Sequence, residues 1–432
     1  MRLRRILLLV LLLGIAAMDP GAADAQGQAR TGEVTIDELV TRALADNPEL
    51  RAARTEVDAA RGRLLQAGLR PNPMLDLNGQ SNVTGPDNTI TVGVTLPLDL
   101  NRRKAGRVGV AERELEMKGA QVAERERQLR AEVRMKAGEW LAARRNLRFT
   151  EELLEVNRQG LGLVEQRVRR GAVPSLEENL LRVEVNRLDA TRWILESQVE
   201  VLTLQLKTLA GLEPDAPVVL RGDLSATPAG LDREEGLRRA LVARPDLMAA
   251  RAEVEMARAK IRKEQAEGRW DASVNVGYMR QDFGFGLNGL TMNGELRPIT
   301  DIFHYVGGGV TIMLPLRNRN QGNIAAAFAE TQGTERRTEF VTLTVRQEVA
   351  AAFIQHDAAQ RSLEIYTRGV REVARQNLEV IRKSYDLGRT SLLDVITEQR
   401  HYIDIEMGYT EALKQVYDAV VNIERAVGTL AR

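Results

Sequence analysis

The chain has no cysteine, few aromatic residues and, beyond its N-terminal region, no long hydrophobic run. The missing cysteine excludes disulfides, thiolate metal sites, a cysteine nucleophile and a lipidated N-terminus. Aromatics at 4% suit long coiled helices better than a compact globular core. His304, His356 and His401 are the only histidines, and none has a ligand partner four residues away, so no metal site is expected. Gly284, Gly286 and the run Gly307-Gly308-Gly309 precede no Gly-Lys-Ser/Thr, which leaves small side chains on a strand rather than a phosphate loop. No Ser/His/Asp constellation or cofactor motif occurs, so neither an enzyme nor a cofactor is expected. A net charge of +1 offers no global attraction for nucleic acid.

What is present begins with a leader. Met1-Arg2-Leu3-Arg4-Arg5 is basic, Ile6 to Ala17 is apolar, and Ala23-Asp24-Ala25 fits a small-x-small cleavage pattern. Residues 1–25 read as a signal peptide cleaved near Ala25, and the mature chain as exported. With no further run of about 18 apolar residues, any membrane span must be a β-barrel.

Val133, Trp140, Leu147, Leu154, Leu161 and Val168 fall at seven-residue spacing within a stretch free of proline from Lys104 to Arg169. Ala143, Thr150, Asn157 and Val164 follow three residues behind the seam, and they are mostly small. This is a helix packed lengthwise against others, and about 65 residues make a rod of roughly 100 Å.

The chain then repeats itself. Ala43-Leu44-x-x-Asn47-Pro48-x-Leu50 returns as Ala240-Leu241-x-x-Arg244-Pro245-x-Leu247, and Leu96-Pro97-Leu98 as Leu314-Pro315-Leu316. Gly171 followed by Leu176-Glu177 returns as Gly388 followed by Leu393-Asp394. The expected organisation is a first copy over 26–211, a linker or equatorial segment over 212–235 with a short strand outside the rods, and a second copy over 236–432. Each copy reads as a helix, two strands and a long helical hairpin with its tip at Gly171 or Gly388.

The strands alternate with period two. Ile90, Val92, Val94 and Leu96 alternate with Thr89, Thr91, Gly93 and Thr95; Leu75 and Leu77 alternate with Asp76 and Asn78. Val274, Val276 and Tyr278, then Val306, Val310 and Ile312, repeat the pattern, with Gln281 to Ile302 read as a long external loop. Tyr278, Tyr305 and Phe303 are the candidate girdle aromatics. Strands of about ten residues suit a transmembrane barrel. Four strands cannot close, and open edges are not tolerated in lipid, so several chains must share one barrel. The rival is a soluble periplasmic coiled-coil structural or adaptor protein whose strands form a small sandwich. Heptad seams are also expected through Leu181, Leu188, Leu195, Leu202 and Leu209, through Val345, Ala352, Ala359, Tyr366, Val373 and Val380, and through Val395, Tyr402, Tyr409, Val416, Ile423 and Leu430.

This order of motifs resembles the TolC family of outer-membrane efflux channels over nearly all of the mature chain. The stretch Tyr385-Asp386-Leu387-Gly388-Arg389-Thr390-Ser391-Leu392-Leu393-Asp394 carries the likeness most specifically. The resemblance implies an α+β membrane protein. Three chains would form a twelve-strand transmembrane β-barrel, four strands from each, continued by a coiled-coil barrel of twelve helices. It implies a homotrimer in outer-membrane lipid that docks a periplasmic adaptor (membrane fusion protein) and an inner-membrane pump of the RND type. Asp394, Glu177 and Tyr385 become periplasmic gate candidates, and Gly171, Gly388 and Arg389 adaptor-docking candidates. The family's second acidic ring falls on Thr397 and its gating arginine on Thr390, with Arg389 one residue away. Pro71-Asn72-Pro73, Pro97-Leu98-Asp99-Leu100 and Arg103-Lys104-x-x-Arg107 look like the heavy-metal branch, although Asn101 and Arg102 stand where that branch has glycines.

Overall fold

The computed structural model describes residues 33–83, 85, 87–224 and 232–428. The expected leader, part of the linker and Leu430 lie outside them. Strand β1 (Glu33–Thr35) and helix α1 (Ile36–Asp46) come first. Then follow α2 (Pro48–Ala67), β2 (Met74–Ser81), β3 (Asn88–Pro97), α3 (Arg103–Arg169) and α4 (Ser175–Leu209). After β4 (Val219–Arg221) come α5 (Arg233–Ala243), α6 (Pro245–Glu267), β5 (Asp271–Leu290), β6 (Leu296–Met313) and α7 (Gln321–Ile365). A π-helical turn, Tyr366–Val370, leads into α8 (Arg371–Asp386) and α9 (Leu392–Val427).

The helix entries explain how short helices continue the long ones. Asn47 caps α2 by accepting from the Leu50 amide at 3.0 Å, with Pro48 in the first turn where its absent N–H costs nothing. The same side chain donates to the Leu209 carbonyl at 3.0 Å, joining the start of α2 to the end of α4. Arg244 takes the equivalent position at α6. It donates to the Ala426 carbonyl at 3.1 Å and is held by Asp246 at 2.6 Å and Glu348 at 2.8 Å. The helices before the strands therefore stack on the hairpin helices that return to them, beside the continuous rods.

Val133, Trp140 and Leu154 of the expected seam are buried, and so are Ala143, Thr150, Asn157 and Val164. The second hairpin departs from expectation. Val345, Ala352 and Ala359 are buried, but Val373 and Val380 are exposed, and Ala374, buried, and Ile381, half-buried, take their places. The cause is the π turn: it inserts one residue, so every later seam position moves one residue along the chain.

Strands β2, β3, β5 and β6 form one antiparallel sheet in that order, while β1 and β4 pair in parallel apart from it. The segment expected as an external loop is instead the upper half of the β5–β6 hairpin, reversed near Gly294 (φ 82°) with a register shift between Gly284 and Asn288. Phe283, Phe285 and Leu287 alternate with Gly284, Gly286 and Asn288, so strand periodicity runs through it; the glycines are small wall residues rather than loop punctuation.

Register assigns the two faces. Leu77, Val92, Tyr278 and Val306 lie in one row, and Leu75, Val94 and Val276 in the next on the same face. Asp76, Gly93, Gly277 and Gly307 form a row on the other face. Tyr305 pairs with Met279 and Phe303 with Gln281, so both project opposite to Tyr278, and the three cannot form one girdle. Along β3 the apolar residues are exposed, whereas the threonines and Gly93 are half-buried. The apolar face has no covering layer among the described residues, and Val306 is 82% exposed. A soluble sandwich would bury that face. Edges β2 and β6 have no partner strand among the described residues. No described helix is long and apolar enough to cross a membrane.

Candidate functional site at the hairpin tips

Far from the sheet, the α3–α4 and α8–α9 connections form two bends of one design. Gly171 and Gly388 both have φ 69°, with nothing within 4 Å of where a Cβ would stand. Backbone conformation, not space, therefore requires glycine here. In the first bend the Gly171 amide donates to Val168 O at 2.9 Å and the Ala172 amide to Arg167 O at 2.9 Å. In the second, Gly388 donates to Tyr385 O at 2.8 Å and Arg389 to Ser384 O at 2.9 Å.

The tips meet through an apolar knot. Val164 and Leu181 of the first hairpin pack with Leu392, Val395 and Ile396 of the second. Beside it the Tyr385 hydroxyl donates to Glu177 Oε2 at 2.6 Å. Burial, reinforced by that carboxylate, pushes the phenol up to about 12. Two expected site residues are thus brought together across the hairpins.

Asp394 is placed otherwise. Its carboxylate accepts from the Ser391 amide at 2.9 Å and the Ser391 hydroxyl at 2.7 Å, while Ser391 Oγ accepts from the Asp394 amide at 3.3 Å. This capping box starts α9, and the Ser391 hydroxyl and amide hold the carboxyl below its usual range. The carboxylate remains exposed at the tip. Arg389 is exposed, and its guanidinium has no partner among the described residues.

Further from the tips the hairpins are tied by residues absent from the sequence reading. Glu184 of α4 is fully buried and accepts from Arg187 at 2.6 Å and from Arg400 of α9 at 2.9 Å. Its position between Leu181 and Leu188, on the same apolar stripe, was the available signal. Arg371, the first residue after the π turn, pairs with Glu406 at 2.5 Å. Arg371 and Arg145 both stack on the Tyr409 ring, at 4.8 and 5.3 Å. Arg145 also donates to Thr410 at 3.2 Å, linking α3 to α9. Among the described residues no three His, Asp or Glu side chains converge as a metal cluster would require.

The profile of the Outer membrane efflux protein family matches residues 39–212 and 236–429. The cobalt-zinc-cadmium resistance protein CzcC of Cupriavidus metallidurans is 24% identical over 435 aligned positions, which cover 98% of this chain and all of that one. Among solved structures, CusC superposes with a TM-score of 0.73 at 18% identity, covering 91% of each chain. The outer membrane protein VceC of Vibrio cholerae gives 0.72 at 19%, covering 91% of this chain and 96% of that one. The open-state MtrE outer membrane channel of Neisseria gonorrhoeae gives 0.70 at 19%, covering 91% and 88%. At these identities the structural likenesses speak for the fold.

Proposed function

The chain belongs to the Outer membrane efflux protein family, and on that premise we propose that it is one subunit of a homotrimeric outer-membrane conduit in a tripartite efflux or type I secretion system. The observation that carries this reading is the sheet with its apolar face uncovered and both edges open among the described residues. Three such sheets joined edge to edge remove every edge, put the apolar face in lipid, and line a water-filled lumen with Thr, Asn, Gln and Gly. The helices carry a matching pair of uncovered stripes. Leu176, Val183 and Ile194 are exposed on α4, and Phe340, Ile354 and Val380 on α7–α8. Two different faces that fit each other make a head-to-tail contact, which a ring closes. The two runs of elements are copies of one unit.

The periplasmic mouth lies at the tips in this reading, with the Tyr385–Glu177 bond as a latch. Asp394, already a cap, adds one negative charge per chain to the ring. Gly171, Gly388 and Arg389 present the surface for a periplasmic adaptor, which connects to an inner-membrane pump of the RND type. Energy and chemistry belong to the pump; this subunit supplies passage. Likeness to the cobalt-zinc-cadmium resistance protein makes divalent metal ions the cargo class to test first.

Detergent-purified protein, weighed by native mass spectrometry and inserted in a planar bilayer, tests the conduit. A trimer with discrete conductance is expected. A soluble monomer released by osmotic shock would overturn it in favour of the periplasmic rod. Asp394→Ala should alter divalent-cation block; unchanged block and conductance would leave Asp394 a cap alone.

A further inference from the structure

We propose that the junction where the rods leave the sheet carries a phosphate-binding site, filled in the membrane by the headgroup phosphate of an anionic phospholipid in the periplasmic leaflet. The placement at the membrane surface rests on the strands spanning the outer membrane.

The site is a pocket between the first turns of α3 and the last turns of α6, lined by Asn101, Arg102, Gly106, Arg262, Gln265 and Arg269 among others. No carboxylate lines it. The guanidinium groups of Arg102, Arg262 and Arg269 are exposed and make no hydrogen bond or ion pair among the described residues. Their neighbours differ: Arg103 is held by Asp271 at 3.2 Å and Glu267 at 3.3 Å, and Arg107 by Asp99 at 2.7 Å. Most arginines along the rods are likewise paired with carboxylates. Three unpaired cations around one pocket repel one another until an anion joins them, and guanidinium forks match phosphate oxygens two at a time.

The backbone points to the same chemistry. Arg102 stands at φ 65°, a left-handed conformation that glycine adopts freely and a long side chain adopts at a cost. It precedes α3 without a side-chain cap, so the positive end of that helix faces the pocket. At Gly106 a Cβ would stand 2.9 Å from Lys263 Cα, so the absence of a side chain sets how closely the two helices approach and forms the pocket floor.

In this reading the pocket lies at membrane depth. Trp270, exposed beside Arg269, and the exposed Leu314 and Leu316 border the outward apolar band of the strands. A tryptophan at such a border marks the headgroup layer.

The test uses the whole trimer in detergent, titrated separately with phosphatidylglycerol, diacylglycerol and inorganic phosphate. Thermal midpoint and bound mass by native mass spectrometry are read for each. Saturable phosphatidylglycerol binding, none for diacylglycerol, and at least tenfold weaker binding in R102Q/R262Q/R269Q are expected. If millimolar phosphate reproduces the shift and the lipid adds nothing, the site stands with a free ion as its source. Should the triple variant fail to assemble, Arg262→Gln on the exposed face of α6 takes its place. A conducting wild-type trimer that binds neither phosphate probe, or a folded variant that binds both as the wild type does, overturns the site and leaves the conduit intact. Failure of the wild type to insert would instead strike the conduit.

Discussion

The two hairpins end in the same bend but reach it differently. The first arrives through one uninterrupted helix of 67 residues. The second arrives through α7, a five-residue π turn and α8. Their tips are anchored to each other by the Tyr385–Glu177 bond and by Glu184, yet only the second has a break in its helical hydrogen-bonding ladder. A π turn stores a one-residue shift that a small rearrangement can move or release. On this contrast we expect the second hairpin to move more readily than the first.

The strongest way to break this asymmetry is to insert one alanine after Val370. The extra residue turns everything after it by about 100°, which takes Ala374, Leu378 and Ile381 out of the seam and Tyr385 away from Glu177. We predict a loss of roughly 3 kcal/mol or more, as for emptying a buried leucine site, with a lower urea midpoint and a leaky channel. Unchanged stability and conductance would mean that the register after the π turn sets nothing.

Glu184 comes next. Burial alone would raise its carboxyl, but the bonds from Arg187 and Arg400 outweigh burial and hold it below the ordinary value of 4.5. Glu184→Gln should cost about 2–3 kcal/mol, toward the low end for a broken buried pair because both arginines remain half in water. In the wild type this stability is present above pH 4.5 and fades as pH falls through the depressed value. Acid unfolding curves of wild type and variant should therefore converge at low pH; parallel curves would deny Glu184 its role.

The tips themselves should behave as equals. Gly171→Val and Gly388→Val each force a β-branched residue into the left-handed region, at roughly 1–2 kcal/mol. Matching losses in chemical denaturation are predicted; a clear inequality would show that the bends are not equivalent under load.

The smallest effect on stability belongs to the latch. Tyr385→Phe removes one hydrogen bond, about 1 kcal/mol, and should raise single-channel conductance. Because the phenol is pushed up to about 12, this bond is complete at lower pH and is lost only as pH rises through that value. Wild-type conductance should not change on its account between about pH 6 and about 9. A titration within that window that vanishes in the variant would refute the assignment.

Much of this was legible from residue spacing. The rod from Lys104 to Arg169, the strand pairs, and Gly171 and Gly388 all have strong local signatures: a long period, clean alternation, or a residue that only a bend needs. The π turn has none. Tyr366-Thr367-Arg368-Gly369-Val370 looks like ordinary helix, and Val373 and Val380 continue the apolar spacing that the structure abandons. Only geometry distinguishes a seam through them from one through Ala374 and Ile381. The upper part of β5–β6 was hidden by its glycines. Glu184 was hidden by its charge, since a lone acid on a rod is usually solvated and its burial depends on two arginines, one of them 216 residues away. The tie from Asn47 to Leu209 and its counterpart from Arg244 to Ala426 show how one contact can be made by unlike side chains, which spacing alone cannot reveal.

The unpaired edges of β2 and β6 also have a genetic consequence. In the proposed ring of three, each chain would supply an edge to both neighbours, so one chain with a ruined edge would spoil the other two. If defective and sound copies are made in equal amounts and mix freely, only about one ring in eight is wholly sound. A proline inserted into β2 should therefore act dominantly over a normal copy of the gene, whereas a lesion confined to the peripheral pair β1–β4 should be recessive.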